Sequence, residues 1–233
     1  RSIPLSSALG DQLYLNELDA ALEEIRERTG LEKFELIGMD ACLMSHLEVY
    51  AALAPHARYA VASQETEPAL GWAYTSFLRQ LVGDPTMNGA GLGAAVVDTY
   101  IRDDQRIVDD RARQRFVGGA SSANQIARQL ESSVTLAAVD LSAMPELSAR
   151  VNELALALQG VDQKAVAKAR SYAQPFTSIF GDDVPPSYID LGHFAQLAAE
   201  STRSPQVAAA GQAVLDAMSS AIVREKHGSK KAG

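Results

Sequence analysis

The stretch Phe34-Glu-Leu-Ile-Gly-Met-Asp-Ala-Cys-Leu-Met44 constrains this chain more than any other. A short apolar run closes at Gly38, and the only cysteine of the protein follows at position 42. Such a run, ended by glycine and followed by a helical pattern, predicts a strand over residues 34–38, buried in a parallel sheet. Reacting groups and ligands gather at the C-terminal ends of strands of this kind. Cys42 is therefore a candidate nucleophile. The other reading of the same residue is a small buried thiol in an α/β protein, without a chemical role.

The flanking patterns agree with an α/β class. Leu15, Leu18, Leu22 and Ile25 recur at helical spacing and predict a helix over 11–28, with Gly30 where a C-terminal cap belongs. A second helix is expected over 43–54, stopped by Pro55. A second strand follows over 58–62, then helices over 71–82 and 88–102 separated by Gly83-Asp-Pro85, then a third strand over 133–141. This alternation predicts a mostly parallel sheet covered on both faces. Everything beyond reads as helix, over 144–158, 161–172, 189–201 and 207–223, with Ser204-Pro205 as the N-cap and first-turn pair of the last. Between 103 and 125, aspartates alternate with arginines ahead of Gly118-Gly119 and Ser121-Ser122, and a solvated, mobile loop or frayed helix end is expected. The basic tail, 226–233, reads as disordered. The expected organisation is thus a Cys-bearing part over 1–142, a helical region over 143–225 packed on it, and the tail.

Composition narrows the function. At 233 residues and 47% hydrophobic content the chain can bury one good-sized core with a helical annex. A net charge of -8 gives it no electrostatic reason to bind nucleic acid or an anionic membrane, and favours a cationic peptide instead. One cysteine rules out an internal disulfide framework and a CxxC metal site. No apolar run of about 18 residues is present, so no membrane span is expected. Arg1-Ser-Ile-Pro-Leu5 does not read as a signal peptide.

A set of segments in order carries a more specific message: Gly38-Met-Asp-Ala-Cys-Leu-Met44, Glu48-Val49, Tyr59-Ala-Val-Ala-Ser-Gln-Glu-Thr-Glu-Pro68, Gly71-Trp-Ala-Tyr74, Thr135-Leu-Ala-Ala-Val-Asp-Leu-Ser142 and Ser187-Tyr-Ile-Asp-Leu-Gly-His-Phe194. Over nearly the whole chain this series resembles the clostripain family of cysteine peptidases, within the caspase-like His/Cys-dyad group. The resemblance implies a three-layer caspase-like α/β sandwich and an endopeptidase that cleaves after Arg or Lys through a Cys42 thiolate and an acyl-enzyme. It implies that Asp40 is the carboxylate of a specificity pocket, gripping a basic side chain by charge-assisted hydrogen bonds. The other reading of Asp40 is a cap on the helix expected to begin near Leu43. Ser63 and Glu65, on the segment that leaves the second strand, are expected to form the opposite wall of the pocket. Glu67 would add negative field there, unless both glutamates are solvated loop charges. Some relatives carry an acidic residue just before the Gly-Trp pair, where this chain has Leu70. Trp72 and Tyr74 are expected to pack the following helix on the sheet, and Asp140 to cap a helix. A secreted or periplasmic location is implied. Some relatives bind calcium, but no Asp-x-Asp-x-Asp-Gly loop occurs here, so no metal residue is named and no cofactor is expected.

In enzymes of this resemblance the catalytic histidine lies upstream, in a His-Gly pair at the end of the preceding strand. None of the residues before Cys42 is a histidine. The expectation is a chain that begins just after that histidine, either a heavy chain whose partner is a His-bearing light chain or a gene fragment, and inactive alone. Its 34–38 strand would then be an exposed apolar edge. Of the four histidines, His46 shares a helical face with Cys42, His56 sits in a surface turn, His193 is a packed or capping residue, and His227 lies in the tail. The alternative function is a caspase-like pseudoenzyme, or a module that binds peptides without catalysis.

Overall fold

Four strands form one sheet in the order β1 (Phe34–Met39), β2 (Ala57–Ala62), β3 (Thr135–Asp140), β4 (Ile222–His227). The computed structural model describes residues 13–116, 118, 121–177 and 186–230. β1 and β2 run parallel, with Leu36 opposite Tyr59 and Met39 opposite Ala62. β2 and β3 are antiparallel, as are β3 and β4, whose register shifts between Ala138 and Val139. The expectation of a mostly parallel sheet is corrected here: only the first pair is parallel. An apolar run signals burial on both faces, and β3 is buried on both faces although it runs antiparallel. Composition therefore could not report its direction.

Side chains alternate across this sheet, as the strand period of two requires. Leu36, Val61, Leu136 and Ala138 join one core layer, while Ile37, Ala60, Ala62, Ala137 and Val139 join the other. The first layer is roofed by α3 (Tyr74–Gly83), α4 (Gly89–Thr99), α5 (Gln105–Val108) and α7 (Ala123–Glu131), which contribute Phe77, Val96, Ile107 and Ile126. Glycines let α4 lie close to the sheet. A Cβ at Gly89 would sit 2.4 Å from the Glu35 carbonyl, and one at Gly93 would sit 3.0 Å from the Ala138 methyl.

The second layer holds α2 (Leu47–Leu53), α8 (Met144–Gln159), α9 (Gln163–Tyr172), α10 (Leu191–Thr202) and α11 (Pro205–Ala221), through Leu53, Leu154, Ala169, Ala195 and Val214. One continuous core thus joins the Cys-bearing part to the helical region. α1 (Leu15–Thr29) ends on Gly30 at φ 70, and Ser204 caps α11 by accepting the Val207 amide, both as the sequence predicts. Asp140 accepts the Ser142 amide at 2.8 Å and caps a short 3₁₀ turn, Leu141–Ala143.

Two expectations from charge pattern are corrected. The stretch 103–125 holds α5, α6 (Asp110–Phe116) and the start of α7. Asp104 is buried, and its carboxylate accepts the Arg106 amide and guanidinium, so the alternating charges include an internal cap and ion pair. The last helix stops at Ala221, and residues 222–227 form β4, followed by Gly228 N–H donating to Val134 O. The basic residues of β4 have acidic partners: Arg224 pairs with Asp98 at 2.7 Å, and Lys226 with Glu131 at 2.9 Å. Residues 117, 119 and 120 of the expected loop, 231–233 of the tail and the first twelve residues lie outside the described residues.

Candidate functional site

The chain leaves β1 at Met39 and doubles alongside the segment that leaves β2. Leu43 N–H donates to Glu65 O at 3.2 Å, and Ser45 N–H to Ser63 O at 2.9 Å. Leu43 takes a left-handed φ of 60, and α2 begins only at Leu47. The helix expected from residue 43 is therefore shorter, and residues 40–46 form a loop pinned by backbone bonds. This places Cys42 on the surface at the C-terminal end of the parallel pair. The Glu67 amide donates to its Sγ at 3.2 Å.

Asp40 is exposed beside it. Its Oδ2 accepts the Trp72 amide at 3.3 Å and the Tyr74 hydroxyl at 3.0 Å. It caps no helix at Leu43, since the helix there starts later and has His46 at its N-cap without a side-chain bond. Two glycines make room for this contact. Gly71 has φ +64, and a Cβ there would lie 2.7 Å from Asp40 Oδ2. A Cβ at Gly38 would lie 2.7 Å from the Trp72 ring. Trp72 is buried as expected, whereas Tyr74 is half-exposed and spends its hydroxyl on Asp40.

Ser63 and Glu65 do not form an open wall, which corrects their expected role in binding substrate. Ser63 is 0% exposed, donates to Glu65 O and lies 3.1 Å from Thr135 Oγ1. Glu65 is 1% exposed, and its carboxylate accepts the Thr66 amide at 2.7 Å and the Thr177 amide at 3.2 Å. Both knit the loop to β3 and to the segment after α9. Both lie past the end of β2, where the polar composition of the segment gave no sign of burial.

Glu67 is the residue the sequence reading undervalued. Its Oε1 accepts the Trp72 indole N–H at 3.2 Å. Its Oε2 is buried and has no donor among the described residues. Burial first, and then the neighbouring Asp40 carboxyl, push Glu67 up to about 9. Tyr100, at the end of α4, lies within electrostatic reach of the same groups: burial, then the charges of Glu67, Asp40 and Cys42, push it up. Tyr100 is 0% exposed, and its hydroxyl has no partner among the described residues. Arg106 faces the group from α5, where it serves Asp104 and the Trp72 carbonyl.

None of the four histidines hydrogen-bonds Cys42 among the described residues. His46 stacks on Tyr188 with centroids 4.3 Å apart, and burial lowers it. His56, expected on the surface, is 2% exposed and lies 2.7 Å from Asp19 on α1. His193 Nδ1 accepts the Gln174 amide at 3.1 Å, the packed role expected of it. His227 sits at the end of β4, 2.7 Å from Glu225. No group of three or more His, Cys, Asp and Glu side chains is placed to hold a metal among the described residues.

The sequence matches the model of the clostripain family, peptidase C11, over residues 6–233. The chain belongs to the clostripain family. No curated protein matches it in sequence. Its fold is shared with solved cysteine proteases of the family. A clostripain from Bacteroides thetaiotaomicron, in complex with the peptide inhibitor BTN-VLTK-AOMK, superposes with a TM-score of 0.58 at 17% identity, covering 92% of this chain and 75% of that one. A cysteine protease from B. fragilis gives 0.52 at 17% identity, covering 93% and 74%. A secreted C11 cysteine protease from Bacteroides thetaiotaomicron gives 0.58 at 16% identity, and this chain spans 49% of it. The clostripain fold of this chain is therefore a mixed α/β sandwich with a helical C-terminal region and an open sheet, whose edges among the described residues are β1 and β4. Among the same residues no helix is long and apolar enough to cross a membrane.

Proposed function

We propose that this clostripain-family chain presents the nucleophile and the basic-residue pocket of a cysteine endopeptidase, and that as it stands it binds peptides without turning them over. The observation that carries the reading is an exposed thiol and an exposed carboxylate two residues apart, on a loop pinned by backbone bonds. The Cys42 thiolate attacks the carbonyl of a residue whose Arg or Lys side chain is held by Asp40. The peptide of the inhibitor bound to the Bacteroides thetaiotaomicron clostripain, BTN-VLTK-AOMK, ends in a lysine, which supports a basic preference. Turnover needs a general acid for the leaving amine. None of the four histidines hydrogen-bonds Cys42 among the described residues, which favours binding over catalysis. A relative described as secreted supports a location outside the cytoplasm. A His-bearing partner chain would supply the missing proton donor.

The test is to treat the protein with peptidyl acyloxymethyl ketones ending in Lys or in Asp, and to assay amide substrates ending in Arg or Lys. Mass spectrometry should find the Lys reagent on Cys42 in preference to the Asp reagent, with amide turnover no higher than in Cys42→Ala. Robust turnover lost in Cys42→Ala would overturn the binding-only reading. Equal labelling by both reagents would overturn the pocket.

A further inference from the structure

We propose that Glu67 is the second carboxyl of this pocket, holding a proton against Asp40 while the pocket is empty and releasing it to solvent when a basic peptide side chain enters. The inference rests on the basic-residue reading of Asp40 above and deepens it.

An ionised carboxylate only accepts hydrogen bonds. Glu67 uses Oε1 on the Trp72 indole, and its buried Oε2 meets no donor among the described residues. What stands next to it is the Asp40 carboxyl, another acceptor, whose Oδ2 takes the Trp72 amide and the Tyr74 hydroxyl. Two carboxyl groups in contact are held together by one shared proton, and the second ionises with difficulty. Burial works in the same direction, so Glu67 stays protonated at neutral pH.

Tyr100 is an independent observation at the same place. Its side chain is fully buried, its hydroxyl has no partner among the described residues, and the charges it feels most are Glu67, Asp40 and Cys42, in that order. Buried polar atoms are almost always paired. A buried, unpaired phenol within electrostatic reach of Glu67, Asp40 and Cys42 fits a site that a donor-rich group, an ammonium or guanidinium, can enter.

The other charged groups do not fill that place. Arg106 approaches from α5 and acts on Asp40 and Tyr74, but its Nη2 lies 2.5 Å from Asp104 Oδ2 and 3.1 Å from the Trp72 carbonyl. Tyr74, on α3, donates to Asp40. An entering cation therefore meets Asp40 as an acceptor and turns Glu67 from a neutral acid into a second one. The proton goes to solvent, and the cation replaces it.

The experiment uses the Cys42→Ala chain, so that no thiol titrates, with fluorescent peptides ending in Lys or in norleucine. Anisotropy is followed from pH 6.5 to 9, and calorimetry in two buffers of different ionisation heat counts protons released. The Lys peptide should bind more tightly as pH rises, by up to about tenfold per pH unit for one proton. The norleucine peptide should bind weakly at every pH. Adding Glu67→Gln, which keeps the shape of the neutral acid, should flatten the profile and bring the proton count to zero. A slope that survives in Glu67→Gln, or a flat profile with Glu67 present, overturns this inference while leaving Asp40 as the pocket. Equal binding of Lys and norleucine peptides overturns the pocket reading and this inference with it. The proton count made with Glu67 in place stands even if the Gln variant folds poorly.

Discussion

Glu65 and Glu67 sit two residues apart on one loop and have opposite lives. Glu65 is buried, and backbone amides of Thr66 and Thr177 fill its carboxylate. Glu67 is half-buried, with one indole N–H on one oxygen and another carboxyl beside the other. A carboxylate saturated by backbone donors is a structural clasp, because removing it strands those donors. A carboxyl that faces an acid and lacks a donor destabilises its own ionised form, and such an arrangement persists where a ligand can relieve it. The same residue type, from the same loop, is thus a fastener in one case and a receptor in the other.

The largest expected effect tests the clasp. Glu65→Ala strands the Thr66 and Thr177 amides and should cost about 2–6 kcal/mol, taking about 1–3 kcal/mol for each donor left unpaired. Urea denaturation reads this directly, and a loss under 0.5 kcal/mol would erase the contrast between the two glutamates. Gly38→Ala strikes the other side of the comparison. Its Cβ would press on the Trp72 ring and displace the indole that holds Glu67, at a cost of about 1–3 kcal/mol. The tryptophan fluorescence should shift in the same variant, and an unchanged spectrum would argue against the close ring contact.

Asp40→Asn is expected to leave stability nearly unchanged but reduce the preference for Lys over norleucine by roughly tenfold or more, the worth of a hydrogen bond to a charged group. Competition binding in the Cys42→Ala background measures it.

The last effect is the most diagnostic, because it is near zero at pH 5 and grows with pH. Glu67 is raised from 4.5 to about 9 in the folded protein. Between those values the folded state keeps a proton that the unfolded chain has lost. Its contribution to stability is therefore complete below the unfolded pKa and declines as pH rises through the folded one. Glu67→Gln has no such group. The two proteins should melt at similar temperatures near pH 5, and the variant should gain on the parent toward pH 9. Parallel melting curves across that range would contradict a stored proton. Glu65→Gln offers the sharpest contrast, because a Gln amide presents only one oxygen to the amides that Glu65 serves.

The elements that read clearly in the sequence are those whose signal is local. Gly30 and Ser204-Pro205 mark helix ends because caps obey backbone rules that need no neighbour. The 34–38 run and its glycine located the strand and the loop bearing Cys42 and Asp40. The sites that read poorly depended on facing. Ser63 and Glu65 looked like a pocket wall because their chemistry is polar, yet bonds to Thr135, Thr66 and Thr177 hold them inside. His56 looked like a turn residue because Pro55 precedes it, yet Asp19 from α1 covers it. β4 looked like a frayed tail because its residues are basic, yet Asp98 and Glu131 neutralise it from α4 and α7.

The sequence by itself determined that this is a clostripain-family chain with one nucleophile candidate and an aspartate two residues before it, since both follow from residue order near a strand end. Only the tertiary structure decided that β3 runs antiparallel, that Glu67 and not Glu65 lies beside Asp40, and that the Tyr100 phenol, from the far end of α4, feels both charges. Strand direction, side-chain facing and the meeting of residues distant in sequence are set by how elements pack. A pattern read one window at a time carries no information about which charges will be left to share a proton.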